Sequence, residues 1–134
     1  MKERVRKVNR ILSVQKQLHQ LAEWRLVSLQ RKEAELETNY QDLVCFLNEG
    51  HVLPDLFSVT VNRRLKGLVE EKARVHAVQL RQADAVLKEL QKVKQAERMV
   101  TSLSAEQQRQ DDKTELESLG ERLGVPVSAS FRKA

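Results

Sequence analysis

Cysteine occurs once in the chain, at Cys45, so no intrachain disulfide can form and the simplest expected compartment is the cytosol. Proline occurs twice and glycine four times. That excludes an all-β sandwich or barrel, which needs turn residues about every 8–12 positions, and it excludes collagenous or proline-rich linker proteins. Aromatic residues are 4% of the chain and Ile11 is its one isoleucine. No apolar run approaches the roughly 18 residues that span a bilayer. The start, MKERVRK, is basic but leads into no apolar stretch, so no signal peptide is expected. What remains is 134 residues, one domain's worth, with 32% charged side chains and a hydrophobic 40% made mostly of Leu, Val and Ala. This is the composition of long helices and coiled coils. The formal charge of +5 is a modest basic excess, compatible with acidic partners and no proof of nucleic acid.

Steps of three and four from Val5 pass through Val8, Leu12, Gln15, His19, Ala22, Leu26, Leu29, Glu33, Leu36, Tyr40, Leu43 and Leu47, and ten of these thirteen positions are apolar. A heptad seam sustained this long predicts a coiled-coil helix over about 3–49, roughly 70 Å in length. A turn is expected over 50–57. Gly50 can take the left-handed conformation that closes a helix, Pro54 cannot continue one, and Asp55 or Ser58 can cap the next.

The second helix is predicted over about 58–123. Its seam reads Val61, Leu65, Val69, Ala73, His76, Leu80, Ala83, Leu87, Leu90, Val93, Ala96, Val100 and Leu103. The four-residue steps at Leu65, Val69 and Ala73 break the strict heptad and predict locally unwound supercoiling. Ser104 and Gln107 have capping-box spacing, which allows a kink or restart there. Gly124 and Pro126 end the helix, and 127–134 reads as a flexible tail.

The fold class is therefore all-α: a long antiparallel two-helix coiled-coil hairpin over 1–126, with helix 2 overhanging. Folding back at 50–54 sets Ala22 roughly opposite Asp84 and Val8 roughly opposite Arg98, and leaves residues 104–123 projecting. Residues 2–32 hold nine basic and two acidic side chains, 34–57 five acidic and no basic, and 106–121 six acidic and two basic. The basic start then lies near the acidic overhang, which favours the antiparallel arrangement, although such exposed attractions are worth only about 0–1 kcal/mol each. Two helices bury a thin core, so a partner, a second copy or a third packing element is expected.

No catalytic constellation is visible. The glycines at 50, 67, 120 and 124 form no phosphate-binding loop, and His19, His51 and His76 have no metal-ligand spacing. His19 and His76 read as seam residues and Cys45 as a small semi-buried side chain. Three other features stand out. Ile11, Val14, Leu18 and Leu21 make a second apolar stripe on one shoulder of helix 1, and Trp24 lies farthest from the seam, amid Arg and Lys. That is the composition of a binding hot spot; the alternatives are a packing partner in another register or a dimer seam. Tyr40, Phe46, Leu53, Leu56 and Phe57 cluster at the turn, either as a local plug or as a recognition tip. Lys2, Arg4, Arg6, Lys7 and Arg10 form a basic start. A solvated face is its default, and the aromatic interleaving of a nucleic-acid binder is missing.

The stretch Val8–Leu18, VNRILSVQKQL, resembles the opening of the FliJ family of flagellar export proteins, especially its alphaproteobacterial members. The stretch Glu89–Arg98, ELQKVKQAER, and the later Glu115–Leu119, ELESL, are similar to that family's second helix and acidic tail. Stalk proteins of injectisomes are of the same type. The resemblance implies an antiparallel coiled coil like the central stalk of rotary ATPases, with no activity and no cofactor of its own. It implies a cytoplasmic location, peripheral at the inner face of the cell membrane through partners only. Those partners are a hexameric export ATPase, the cytoplasmic domain of the export gate and export chaperones; no small-molecule substrate is implied. By the same resemblance the ATPase-ring contact falls on Arg4, Lys7, Ile11, Val14, Leu18, Leu21 and Trp24. The export-gate contact falls on Leu36, Tyr40, Leu65, Val69 and His76, without the aromatic that the family carries near Leu65. The rival expectation is a basic coiled-coil scaffold that homodimerises or binds nucleic acid.

Overall fold

The structure, a computed structural model, describes residues 2–49 and 55–124. Two helices account for them: α1, Lys2–Asn48, with 47 residues, and α2, Asp55–Leu123, with 69. The protein is all-α, a two-helix hairpin, with no strand among the described residues. α2 starts at Asp55, three residues earlier than expected. The roles expected of Gly50, His51, Leu53, Pro54, Pro126 and the tail 127–134 lie outside the described residues, as do the side chains of Asp55 and Leu56. Gly124 adopts a left-handed conformation, φ 70°, and its N–H donates to the Glu121 carbonyl at 3.2 Å, which closes α2. Only glycine takes this φ without strain. α2 runs unbroken through Ser104. The capping spacing does not restart the helix there, because Ala105, Glu106 and Gln107 are all good helix formers that continue it.

The chain divides into two compact units, one of Gln17–Gln91 and one of Met1–Lys16 with Lys92–Ala134. Gln17–Gln91 holds the hairpin's core. Leu36, Leu68 and Val75 form a buried cluster with Tyr40 and Leu43 packed against it, and Leu68 is 1% exposed. The other unit buries Val8, Val93 and Ala96. Each helix carries its own seam. All thirteen expected α1 positions are buried or half-buried.

The α2 seam differs from the expected one. Buried and half-buried positions run Val61, Leu65, Leu68, Lys72, Val75, Gln79, Gln82, Val86 and Glu89, then Val93, Ala96, Val100, Leu103 and Gln107. These steps alternate strictly between four and three, so the predicted break in the heptad does not exist. Val69, Ala73, His76, Leu80 and Leu87 lie off the seam and are exposed. Apolarity pointed to them because the true seam carries Lys72, Gln79 and Gln82. Two of these find partners on α1. Lys72 pairs with Glu37, and its ammonium lies 5.5 Å from the centre of the Tyr40 ring. Gln82 donates to the Ala22 carbonyl at 2.9 Å. A buried polar group is tolerated when a partner is supplied, and here the facing helix supplies it.

Contact positions follow this register. Ala22 meets Gln82, two residues short of the expected Asp84, and Val8 shares a groove with Met99 and Leu103, close to the expected Arg98. Lys2 shares a groove with Asp111, so the overhang begins after Asp111 and not at Ser104.

Candidate functional site

The expected contact residues separate into surface and core once the helices are built. In the unit of Met1–Lys16 with Lys92–Ala134, Arg4 and Lys7 are exposed and rim a groove of about 380 Å³ with Val8, Met99, Ser102 and Leu103. Ile11 and Val14 are exposed in the same unit. Leu18, Leu21 and Trp24 belong to the unit of Gln17–Gln91. All three are exposed, Trp24 at 63%, so the hairpin leaves this indole in water as its position farthest from the seam requires. An indole at that exposure on a paired helix is available to a partner.

The expected gate residues divide differently. Leu36, 6% exposed, belongs to the core cluster and presents no surface, while Tyr40 and Leu65 are half-buried on the seams. Val69 and His76 are exposed, one heptad apart on α2. His76 is therefore not a seam residue: its Nδ1 lies 3.3 Å from Glu33 Oε1 at the edge of the helix pair. His19 does sit half-buried on the α1 seam, with Nε2 3.2 Å from Glu23 Oε1. Cys45 is exposed and free, not semi-buried, because it falls on the α1 face opposite the seam. Phe57 is exposed, while Phe46, 40% exposed, shares a groove with Leu43 and Leu68; the side chains of Leu53 and Leu56, expected beside them, lie outside the described residues.

A surface that apolarity had assigned to the interior emerges instead. Val69, Ala73, His76, Leu80, Ala83 and Leu87 recur at alternating steps of four and three, immediately beside the α2 seam and within one unit. Leu80 and Leu87 are 60% and 59% exposed. This is a second heptad stripe on a helix whose first seam is already occupied. Carrying the strict alternation from Val61 through Leu65 to Leu68 would have separated the two stripes; counting apolar residues merged them.

In the Gln17–Gln91 unit Glu37 on α1 faces the Lys72 ammonium of α2. The Lys72 ammonium, first, and the Gln41 amide at 3.0 Å hold its carboxyl below the usual glutamate range, since both favour the ionised form. Among the described residues there is no group of three or more His, Cys, Asp or Glu placed to hold a metal ion, and no helix long and apolar enough to cross a membrane.

What fold and surface together define is a helical hairpin with coiled-coil character and exposed apolar stripes beside its seams. No family model matches the chain, and no curated protein or solved structure does.

Proposed function

We propose that this hairpin is a non-enzymatic stalk and chaperone-escort component of the flagellar type III export apparatus, linking a hexameric export ATPase to the cytoplasmic domain of the membrane export gate. It would work in the cytoplasm, held at the inner face of the membrane by its partners. The observation that carries the reading is the second stripe of α2. A helix paired along one seam that keeps Val69, Leu80 and Leu87 exposed at heptad spacing is shaped to receive another helix. Val69 and His76, two of the residues that the FliJ resemblance assigns to the gate, stand on that stripe. Trp24, which it assigns to the ATPase ring, is exposed on α1.

The test measures the two partners separately. Leu80→Asp with Leu87→Asp should weaken capture by the gate's cytoplasmic domain more than tenfold, as loss of two leucine contacts implies, and leave ATPase stimulation intact. Trp24→Ala should do the reverse. Tyr40→Ala is a poor probe, because that ring packs on the core. Failure of the unaltered chain to bind either partner would sink the reading. Tight DNA binding that collapses steeply with salt would favour the scaffold in its place.

A further inference from the structure

α2 is a single helix to Leu123, and its last stretch runs on past the start of α1. Asp111 still shares a groove with Lys2, while residues 112–119 are all exposed. Leu116, Leu119 and Leu123 are exposed there. Their spacing of three and four places them on one face of the helix. Asp112 and Glu115 stand one turn before Leu116 and Leu119. Residues 112–123 carry four carboxylates, Asp112, Glu115, Glu117 and Glu121, against Lys113 and Arg122. The overhang is thus an acidic helix with a leucine edge.

The same unit holds the complementary surface. The groove between the helices has an apolar floor of Val8, Met99 and Leu103 and two cations, Arg4 and Lys7, on its rim. Ile11, one turn on from Lys7 along α1, is exposed in the same unit. No carboxylate is among the residues that line this groove; the nearest in sequence on the α2 side are Glu97, two residues before Met99, and Glu106, three after Leu103.

Within one chain these two surfaces cannot meet. The leucine edge lies on a continuous helix beyond Asp111, the α2 residue that shares a groove with Lys2, and folding back would require breaking that helix. Two molecules laid head to head about a two-fold axis satisfy both. Each overhang lies along the other's groove, carboxylates against Arg4 and Lys7, and the contact is made twice. Stable dimers bury about 1,200–2,000 Å² in total, so each half needs only about 600–1,000 Å². We infer that residues 112–123 of one molecule dock in the groove formed by Arg4, Lys7 and Met99 of a second copy, giving a reciprocal dimer whose affinity comes from leucine burial and whose orientation comes from charge. This does not depend on the stalk reading, and its test needs no export component.

Sedimentation equilibrium of the full chain over a hundredfold range of concentration should show a monomer–dimer equilibrium that weakens with salt. Leu116→Asp with Leu119→Asp should raise the dimer Kd by more than about tenfold. Arg4→Glu with Lys7→Glu should also raise it, and adding Asp112→Lys with Glu115→Lys to that chain should restore it. All six positions are exposed, so helix content by circular dichroism should stay constant and serves as the folding control. A chain that stays monomeric throughout overturns the proposal. So does a dimer whose Kd ignores the two leucine substitutions, for instance one held by the Val69–Leu87 stripe.

Discussion

Gln82 on α2 donates from Nε2 to the backbone carbonyl of Ala22 on α1 at 2.9 Å, across 60 residues of sequence. A mid-helix carbonyl already accepts its own helical bond, but its second lone pair is free to take another. The amide reaches it only because residue 22 has a methyl side chain, itself buried at the seam. This contact and the Glu37–Lys72 pair hold one register of the hairpin.

Enlarging that methyl should separate the helices locally. Ala22→Leu is expected to destabilise the chain by about 1–3 kcal/mol through overpacking and loss of the Gln82 bond. Gln82→Ala should cost less, about 0.5–1.5 kcal/mol. Urea unfolding followed by circular dichroism measures both. A Gln82→Ala cost larger than that of Ala22→Leu would mean that the hydrogen bond, not the close approach, governs this layer.

The two leucines of α2 at 68 and 80 should behave oppositely. Leu68→Ala removes the most deeply buried side chain of the core cluster and should cost about 2–5 kcal/mol. Leu80→Ala lies on the exposed stripe and should change stability by no more than about 0.5 kcal/mol. Equal losses in the same denaturation assay would place the seam through Leu80 after all.

Acid should weaken the pairing at Glu37. Its carboxyl is held below the ordinary glutamate range, chiefly by Lys72, so the unfolded chain binds its proton at higher pH than the folded one. The stabilisation is present above the ordinary range, about pH 4.3, and is lost as pH falls through the lowered value. Glu37→Gln should flatten stability against pH in that window, and Lys72→Met should leave Glu37 titrating closer to its ordinary value, as read by carboxyl NMR shifts.

Gly67 sits inside α2, and a Cβ built there meets nothing within 4 Å. Gly67→Ala should therefore stabilise the protein by about 0.5–1 kcal/mol, by removing backbone freedom from the unfolded chain and improving helix propensity. An increase in thermal midpoint with unchanged helix content is the expected result, and a decrease would show that a side chain there is not tolerated.

Much of this was legible beforehand, for identifiable reasons. The α1 seam was readable from Val5 to Leu47 because ten of its thirteen positions are apolar, and no Gly or Pro interrupts it. The exposure of Trp24 followed from its angular distance from that seam. Leu36 was assigned to a contact surface by resemblance, although its own place on the seam already pointed to burial. The overhang's leucine edge escaped notice because Leu116, Leu119 and Leu123 leave the seam's phase, and a search along one phase passes over them.

Residue order alone determined that two long helices form, that they are interrupted after Asn48, and which side of α1 faces inward, since helix propensity and periodic apolarity are local properties. Which side of α2 faces inward was decided only by the folded pair. Lys72 and Gln82 are inward because α1 presents Glu37, the Tyr40 ring and the Ala22 carbonyl to receive them. Leu80 and Leu87 are outward because no such neighbour covers them. Burial depends on what stands opposite a side chain, and that is known only once the second helix is in place.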